Sequence, residues 1–575
     1  MKSKTKKSSL PPMSLSLKGT GDIRTGTWRY LTPLYRSRLA PCREACPAGE
    51  DIAGVMVLAS EENYPAAWER IISENPLPRV CGRVCFHPCE GACNRREFDQ
   101  AISINALECF LGDRQASAGK GFRPPRGKRK GQVAVVGSGP AGLSCAYHLA
   151  GLGFSVTLFE AQPRLGGMLR YGIPAYRLPR DVLDQEIEAI LDLGVEARTG
   201  TRLGVDLSLD DLKAYRAVFL STGAWKSLPL NLPGEAAEGV ISGLEFLRRV
   251  SAGEKVSLGS KVAVIGGGNT AIDAARSALR LGAKPLILYR RTREEMPAWE
   301  EEVAEAEEEQ IEILFLTSPV SIQAEKGKVK GLECVRNLLG PPGPDGRPEP
   351  RPVAGSNFTL AVDGMISAIG EAPDLSFLPA GPKSAPFTID ETGRTSLPGV
   401  FAGGDMASRQ RTVALAIGAG KRAAMAIDAW LRGEDPAEAL RSARIGGREG
   451  LSMARYRGRE NSGSPEVVRF SDLTPAYFRP QPRAVRGKLP PDRRAADFSE
   501  INAGISPPAA LIEARRCFNC GTCNLCHNCF LFCPDLAVSA RPDRGGYEIN
   551  LKYCKGCGIC VEECPRGAMA LEGGK

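Results

Sequence analysis

This 575-residue sequence has only three histidines and 6 % aromatic residues, and no apolar run approaches the roughly 18 residues of a membrane span. The longest apolar stretches, around 133–159 and 414–431, are broken by Gly, Ser or charged residues, so no spanning helix is expected. His87, His148 and His527 offer little to a histidine-based catalyst, and each is read as structural. The first residues carry Lys2, Lys4, Lys6 and Lys7, then Ser, Pro and Gly without an apolar core. No secretory signal is expected, and the protein is expected to stay in the cytoplasm. The charge excess is small, 75 basic against 66 acidic side chains for a net +9, so no nucleic-acid partner is expected. With 43 % hydrophobic and 25 % charged residues, the composition is that of a globular chain of about four folding units.

What the sequence does have is cysteine. Six of its 19 cysteines fall between Cys42 and Cys93 and ten between Cys517 and Cys564; only Cys109, Cys145 and Cys334 lie elsewhere. In a reducing compartment such clustering points to iron–sulfur ligation rather than disulfides. Patterning divides the chain into a basic arm (1–40), a helical cysteine-bearing domain (41–122) and the first part of a dinucleotide domain (130–235). A second dinucleotide domain (236–360), the remainder of the first (361–432), an Arg- and Pro-rich connector (433–510) and a cysteine-built module (511–575) follow. Between 130 and 432, strand-like runs such as VAVVG, SVTLFE and AVFLSTG alternate with helical segments, which predicts parallel α/β sheets. The expected fold is thus multidomain α/β, with two Rossmann-like domains between a helical iron–sulfur domain and a ferredoxin-like α+β module. The Glu-rich stretch 299–310 reads as the solvated face of a helix.

The strand at Val133–Val136 leads into Gly137-Ser-Gly139-Pro140-Ala141-Gly142 and an apolar helix, and Glu160 ends the next strand. Glycines there let backbone approach a pyrophosphate, the helix start offers unpaired N–H groups, and the carboxylate suits ribose hydroxyls. With Gly166-Gly167, Thr222-Gly223 and Gly403-Gly404-Asp405 further on, the arrangement resembles two-dinucleotide flavoproteins. That resemblance implies FAD, with Asp405 on the ribityl chain and a helix beginning near Thr412 and Val413 aimed at the isoalloxazine ring. The logic repeats 129 residues later at Gly266-Gly267-Gly268-Asn269-Thr270. Its following strand ends in Arg290, Arg291 and Arg293 where an NAD site would place an acid, which favours NADP(H) over NAD(H) through a 2′-phosphate. The alternative reading pairs these arginines with the acidic stretch at 300–309. No Cys-x2-Cys pair lies between the two nucleotide motifs, so a disulfide relay is absent and the iron–sulfur candidates are the exit for electrons.

At the C-terminal end, Cys523-x2-Cys526-x2-Cys529-x3-Cys533-Pro and Cys554-x2-Cys557-x2-Cys560-x3-Cys564-Pro are two copies of the bacterial ferredoxin run. In that motif the fourth cysteine crosses to the other cluster. One [4Fe–4S] centre then takes Cys523, Cys526, Cys529 and Cys564, the other Cys554, Cys557, Cys560 and Cys533. Cys517 and Cys520 extend the same period and are read as spare structural thiols.

The segments PCREACPAGEDI, NPLPRVCGRVC, HPCEGACNRRE, LGGMLRYGIPAYRLPR, GGGNTAIDAAR and YRRTREEMPA together resemble the glutamate synthase small (β) subunit. They are similar also to the N-terminal half of dihydropyrimidine dehydrogenase and the large subunit of bifurcating ferredoxin:NADP oxidoreductase. The likeness spans about residues 25–432. Relatives with two N-terminal clusters begin Cys-x2-Cys-x4-Cys-x3-Cys-Pro; here Leu34 and Ser37 stand at the first two positions. The resemblance implies one N-terminal cluster on Cys46, Cys85 and Cys89 with Glu108 as a non-cysteine ligand. A competing assignment draws four thiolates from Cys42, Cys46, Cys85, Cys89 and Cys93. Cys81 and Cys109 are read as packing residues. The segment EARRCFNCGTCNLC further resembles the flavoprotein that accompanies dissimilatory sulfite reductase.

These readings describe an NAD(P)H-dependent FAD and iron–sulfur oxidoreductase that moves electrons to or from a ferredoxin or redox-enzyme partner subunit within a hetero-oligomer. No acid–base side chain need be named, because the flavin mediates the chemistry. The alternatives are the glutamate synthase small subunit proper and a non-catalytic redox-sensing scaffold.

Overall fold

The computed structural model describes residues 24–119, 121–123, 130–344, 346–378, 387–460, 464–541 and 546–573. The lysines of the first seven residues, and most of the basic linker 123–130, lie outside them. The chain forms two compact units. The larger comprises 39–467 and 480–517; the smaller comprises 1–38, 468–479 and 518–575.

The larger unit begins with short helices, among them Pro41–Ala45, Ile52–Ser60, Tyr64–Ile72, Pro78–Val84, Pro88–Gly91 and Ile104–Ser117. Asp51 and Asn63 cap two of them by accepting the N–H of Gly54 and Ala66. Two five-stranded parallel sheets follow. The first runs, from edge to edge, Val400–Ala402, Ala217–Leu220, Gln132–Val136, Ser155–Phe159 and Glu196–Arg198. Its central strands are near-continuous apolar runs because helices cover both faces. The second runs Glu312–Leu314, Lys284–Leu288, Lys261–Ile265, Gly364–Ser367 and Val240–Ser242. In each sheet the glycine motif follows a central strand at the point where strand order reverses, the crevice where open α/β sheets bind ligands. An antiparallel sheet of Thr317–Glu325, Lys328–Pro342, Pro348–Pro352 and Phe358–Ala361 is inserted within the second domain. Among the described residues no helix is long and apolar enough to cross a membrane.

The Glu-rich helix Glu300–Glu308 does more than face solvent. Arg276, with its side chain fully buried, pairs with Glu302 at 2.5 Å, Glu305 at 2.9 Å and Glu309 at 2.7 Å, and Arg280 adds Glu309 at 2.9 Å. The Arg- and Pro-rich connector is likewise fastened down. Its Arg483, Lys488, Arg494 and Glu500 pair with Glu90, Glu301, Glu308 and Arg83. Composition advertises charge but not its partners, which for the connector lie between 186 and 417 residues away in sequence.

Glu186 joins the first sheet's domain to the helical domain by accepting the N–H groups of Arg79 (2.8 Å) and Val80 (3.0 Å). Burial pushes its carboxyl from the ordinary 4.5 up to about 7 despite those bonds. The folded chain therefore holds this proton over a pH range in which the unfolded chain has released it. The group's stabilisation is complete below about pH 4.5 and is lost as pH rises through 7, roughly 3 kcal/mol in all. Glu186→Gln, which cannot ionise, should show a flatter profile. Thermal unfolding at about pH 5 and about pH 8 checks this: the advantage of wild type over the variant should shrink toward the higher pH.

The smaller unit holds the ferredoxin runs around the short helices Asn528–Leu531 and Ile559–Glu562 and the hairpin Val538–Ala540 with Tyr547–Ile549. Its last strand, Met569–Gly573, pairs antiparallel with Leu31–Tyr35, placing Leu34 opposite Ala570. Within the segment read as an arm (1–40), residues 31–35 thus form a ferredoxin strand, while residues 1–23 lie outside the described residues. Arg29 adds a bond to Leu551 O (2.6 Å) and Arg38 one to Gly567 O (2.9 Å).

Candidate functional site

A cleft of about 1220 Å³, open solvent included, lies at the carboxyl ends of the first sheet. Gly137, Gly139, Pro140, Ala141, Glu160, Gly167, Thr222, Gly223 and Asp405 all line it. Gly142 lies beneath: a Cβ there would meet Gly137 O at 1.8 Å. Gly139 is different, since a Cβ there meets no protein atom within 4 Å and points into open space. The helix Pro140–Gly151 starts with proline at its first position, where no N–H is needed, and directs its remaining free N–H groups at the same space.

Glu160, only 5 % exposed, accepts the N–H (2.9 Å) and hydroxyl (2.5 Å) of Ser138 and the N–H of Gln162 (2.8 Å). Ser138 in turn accepts the N–H of Gly166 at 3.0 Å, so the acidic strand end, the glycine turn and the Gly166-Gly167 pair form one braced cradle. Burial pushes Asp405 up to about 6, with Arg411 opposing and Glu371 reinforcing the shift. Gly403 and Asp405 also line a second cavity that reaches Pro47. Thr412 caps the long helix Val413–Leu431 by accepting the N–H of Leu415 at 3.2 Å. Thr412 and Val413 are not among the cleft's lining residues.

At the second motif, a Cβ on Gly266 would meet Ala368 O at 2.3 Å, while one on Gly268 would meet nothing within 4 Å. Asn269 accepts the N–H of Trp299 (3.0 Å), and Thr270 donates to Glu371 (3.3 Å). The three arginines separate. Arg291 is buried and donates to Pro348 O at 2.6 Å, Arg293 pairs with Glu307 at 2.5 Å, and Arg290 is exposed.

In the helical domain Cys46, Cys85, Cys89 and Glu108 come together from four segments. Cys46 and Cys85 each feel the Glu108 charge, and Cys89 feels Cys46 and Cys85. Burial pushes Cys46 up to about 12 and Cys85 and Cys89 well above their ordinary range. Glu108 is also pushed up, first by burial and then by Glu50, with which it shares a hydrogen bond; Asn75 donates to both carboxyls, at 3.0 and 2.8 Å. Three thiols and a carboxyl crowded in an apolar interior are costly as anions unless a cationic centre offsets them, so this donor set fits an iron–sulfur cluster. Cys81 and Cys109 are buried in packing beside it.

In the smaller unit the two crossed quartets are each gathered around one cavity of about 330 Å³. One is lined by Cys523, Cys526, Cys529 and Cys564, the other by Cys533, Cys554, Cys557 and Cys560. Main-chain N–H groups of Ala537 and Ala568 donate to Cys533 and Cys564 at 3.2 and 3.3 Å. Sequence reasoning missed Tyr35, whose hydroxyl is 3.1 Å from Cys529 Sγ. With Cys529 bound to iron its thiolate could only accept, so the phenol would be the donor; burial raises the Tyr35 pKa and keeps the proton on it. Donation to a ligand sulfur favours the reduced, more negative cluster. Tyr35→Phe should lower that cluster's midpoint potential by about 40 mV, the one-electron equivalent of a ~1 kcal/mol bond. An EPR-monitored redox titration reads the shift; an unchanged potential sinks the assignment.

Among the described residues no group of three or more His, Cys, Asp or Glu is spaced for a single metal ion. A cubane has other needs, since each of its ligands binds a different iron.

Comparison with known proteins agrees with this layout. Residues 131–423 match the family model described as pyridine nucleotide-disulphide oxidoreductase. Residues 35–120 match dihydropyrimidine dehydrogenase domain II, 4Fe-4S cluster, and 547–570 match the 4Fe-4S binding domain. The chain is 40 % identical over 514 residues to NADP(+)-dependent formate dehydrogenase subunit beta of Moorella thermoacetica, covering 84 % of this chain and 70 % of that protein. It is 38 % identical over 518 residues to NADPH-Fe(3+) oxidoreductase subunit beta of Geobacter sulfurreducens (84 % and 75 %). It is 37 % identical over 418 residues to the small chain of NADPH glutamate synthase of Escherichia coli (68 % and 88 %). The chain belongs to the pyridine nucleotide-disulphide oxidoreductase family and is an NAD(P)H-dependent, FAD-containing oxidoreductase with 4Fe-4S domains at both ends.

Proposed function

We propose that this chain is the nucleotide-oxidising or nucleotide-reducing subunit of a larger cytoplasmic enzyme, exchanging electrons between NADPH and a ferredoxin or redox-enzyme partner. The observation that carries the reading is the presence, in one chain, of a braced dinucleotide cleft and two cavities each ringed by a cubane's four cysteines. A flavin, when bound, supplies the exchange of an electron pair for single electrons. The protein's part is positional. Gly139 leaves room for a pyrophosphate, the start of Pro140–Gly151 offers N–H donors to it, and Glu160 holds the ribose side of the cradle. At the second motif, Gly266, Gly268, Asn269 and Thr270 form the nicotinamide nucleotide's turn, and Arg290, exposed just past the end of the following strand, presents a guanidinium to a 2′-phosphate.

The formate dehydrogenase and Fe(3+) oxidoreductase β subunits are matched over more of this chain than the glutamate synthase small chain is. That favours a β subunit serving a separate partner over the glutamate-forming pair. An anaerobic titration of the purified chain with NADPH and, separately, NADH tests the proposal. Visible absorption should bleach with NADPH at lower concentration than with NADH, and EPR signals of reduced clusters should appear. A pigment that ignores both coenzymes refutes it. Arg290→Ala should raise the KM for NADPH about tenfold, equivalent to ~1.4 kcal/mol, and leave that for NADH unchanged.

A further inference from the structure

If Cys46, Cys85, Cys89 and Glu108 hold one cluster, as proposed here from the geometry, four cysteines of the helical domain remain: Cys81 and Cys109, buried in packing, and the partly buried Cys42 and Cys93. A third thiol belongs to the same unit. Cys517 ends the helix Pro507–Arg516, which packs against Ile52–Ser60 and Ile104–Ser117. That helix end is clamped to the loop after Cys93. The buried Arg95 donates to Arg516 O and pairs with Asp99 at 2.7 Å. Arg516, also buried, donates to Asp99 (3.2 Å) and Gln100 O (2.8 Å) and pairs with Glu513 (2.6 Å), which in turn accepts the N–H of Ser103 (2.7 Å). The charge of Arg516 reaches the Cys93 thiol. On the other side, Cys42 lies on Pro41–Ala45 against Pro88–Gly91, close enough to act on Cys89. Three segments thus bring Cys42, Cys93 and Cys517 to one corner of the helical domain.

Main-chain N–H groups aimed at a sulfur suit a thiolate on iron. Cys85, Cys533 and Cys564 accept main-chain N–H groups, as a thiolate on iron does, whereas Cys334 donates its S–H to Leu332 O. Cys93 accepts two main-chain N–H groups, from Arg95 and Ile102. In sequence, Cys517 also opens a Cys-x2-Cys pair, the spacing with which both ferredoxin runs begin.

We propose that Cys42, Cys93 and Cys517 supply three thiolates to a further [4Fe–4S] cluster in the helical domain, beside the one on Cys46, Cys85, Cys89 and Glu108. The connector between the nucleotide domains and the ferredoxin module is then a contributor of ligands as well as a tether.

The test is iron and acid-labile sulfide content, with dithionite-reduced EPR, on the full chain reconstituted anaerobically with iron and sulfide. The wild type should hold about sixteen irons, four cubanes, rather than about twelve. Cys517→Ser and Cys42→Ser should each lose about four irons and one EPR component while keeping full flavin absorption, which reports that the fold survives. Wild type at about twelve irons, with Cys517→Ser identical to it, overturns the proposal. Cys85→Ser is run alongside. If it sheds about four irons while Cys517→Ser does not, only the further cluster is lost; if it sheds none, the reading beneath it fails as well.

Discussion

Gly139→Val should give a folded protein stripped of flavin. The backbone at this position (φ −67°, ψ −179°) is one that any residue adopts, and an added Cβ touches no protein atom within 4 Å. A Cβ there therefore strains nothing in the polypeptide, and the side chain it carries fills the space between the glycine turn and the helix start into which a pyrophosphate must fit. Flavin content after purification should fall at least tenfold, more than ~1.4 kcal/mol of binding, while the unfolding midpoint of the flavin-free protein stays near that of flavin-free wild type. Gly142→Ala is the contrasting case. Its methyl would collide with Gly137 O, so it should destabilise the flavin-free protein as well. A yellow Gly139→Val protein with full flavin stoichiometry would remove the cradle from the account.

The second large effect is expected from Lys421→Met. The Lys421 side chain is entirely buried in the long helix Val413–Leu431, donates to Ala48 O and pairs with Glu74 at 2.5 Å. Glu74 also accepts Ser452 Oγ (2.8 Å) and the N–H groups of Met453 (2.8 Å) and Ala454 (3.1 Å). Methionine preserves most of the volume but leaves a buried carboxylate without its counter-charge, which costs about 3–5 kcal/mol. Adding Glu74→Gln should return part of the loss, because the two changes are coupled through one ion pair. Thermal unfolding of the two single variants and the double variant gives the coupling; strict additivity would count against the buried pair. The consequence reaches the redox path. Ala48 follows Cys46-Pro47, and a Cβ on Gly418 would meet Pro47 O at 2.4 Å, so Lys421 and Gly418 together press the ligand-bearing turn onto the helix that starts beside the cleft.

Much of the site was legible because its information is local. The glycine turns, the capped helix starts and the ferredoxin spacings each describe a few consecutive residues whose backbone geometry is dictated by their own side chains. The crossed pairing of Cys533 and Cys564 could be read because the motif itself encodes it, and the two cavities gather those quartets. Arg290, Arg291 and Arg293 look interchangeable in sequence. The pairing of Arg293 with Glu307 is the alternative that the acidic stretch already offered, realised for one of the three; only folding turns Arg291 inward to Pro348 O, because that partner lies on a later segment. The Glu-rich helix reads as solvated until Arg276 and Arg280 from another helix meet it.

By itself, then, the sequence determined the two nucleotide turns, the parallel α/β character and the ferredoxin quartets, since these depend on short-range spacing and backbone permission. Tertiary structure alone decided that residues 31–35 pair with the last ferredoxin strand, that the Tyr35 hydroxyl lies within hydrogen-bond distance of Cys529 Sγ, and that Cys517 returns to the helical domain. The physical reason is that a strand edge, a phenol or a thiol carries no mark of its partner: hydrogen bonds and ligand bonds across hundreds of residues form where packing brings them together.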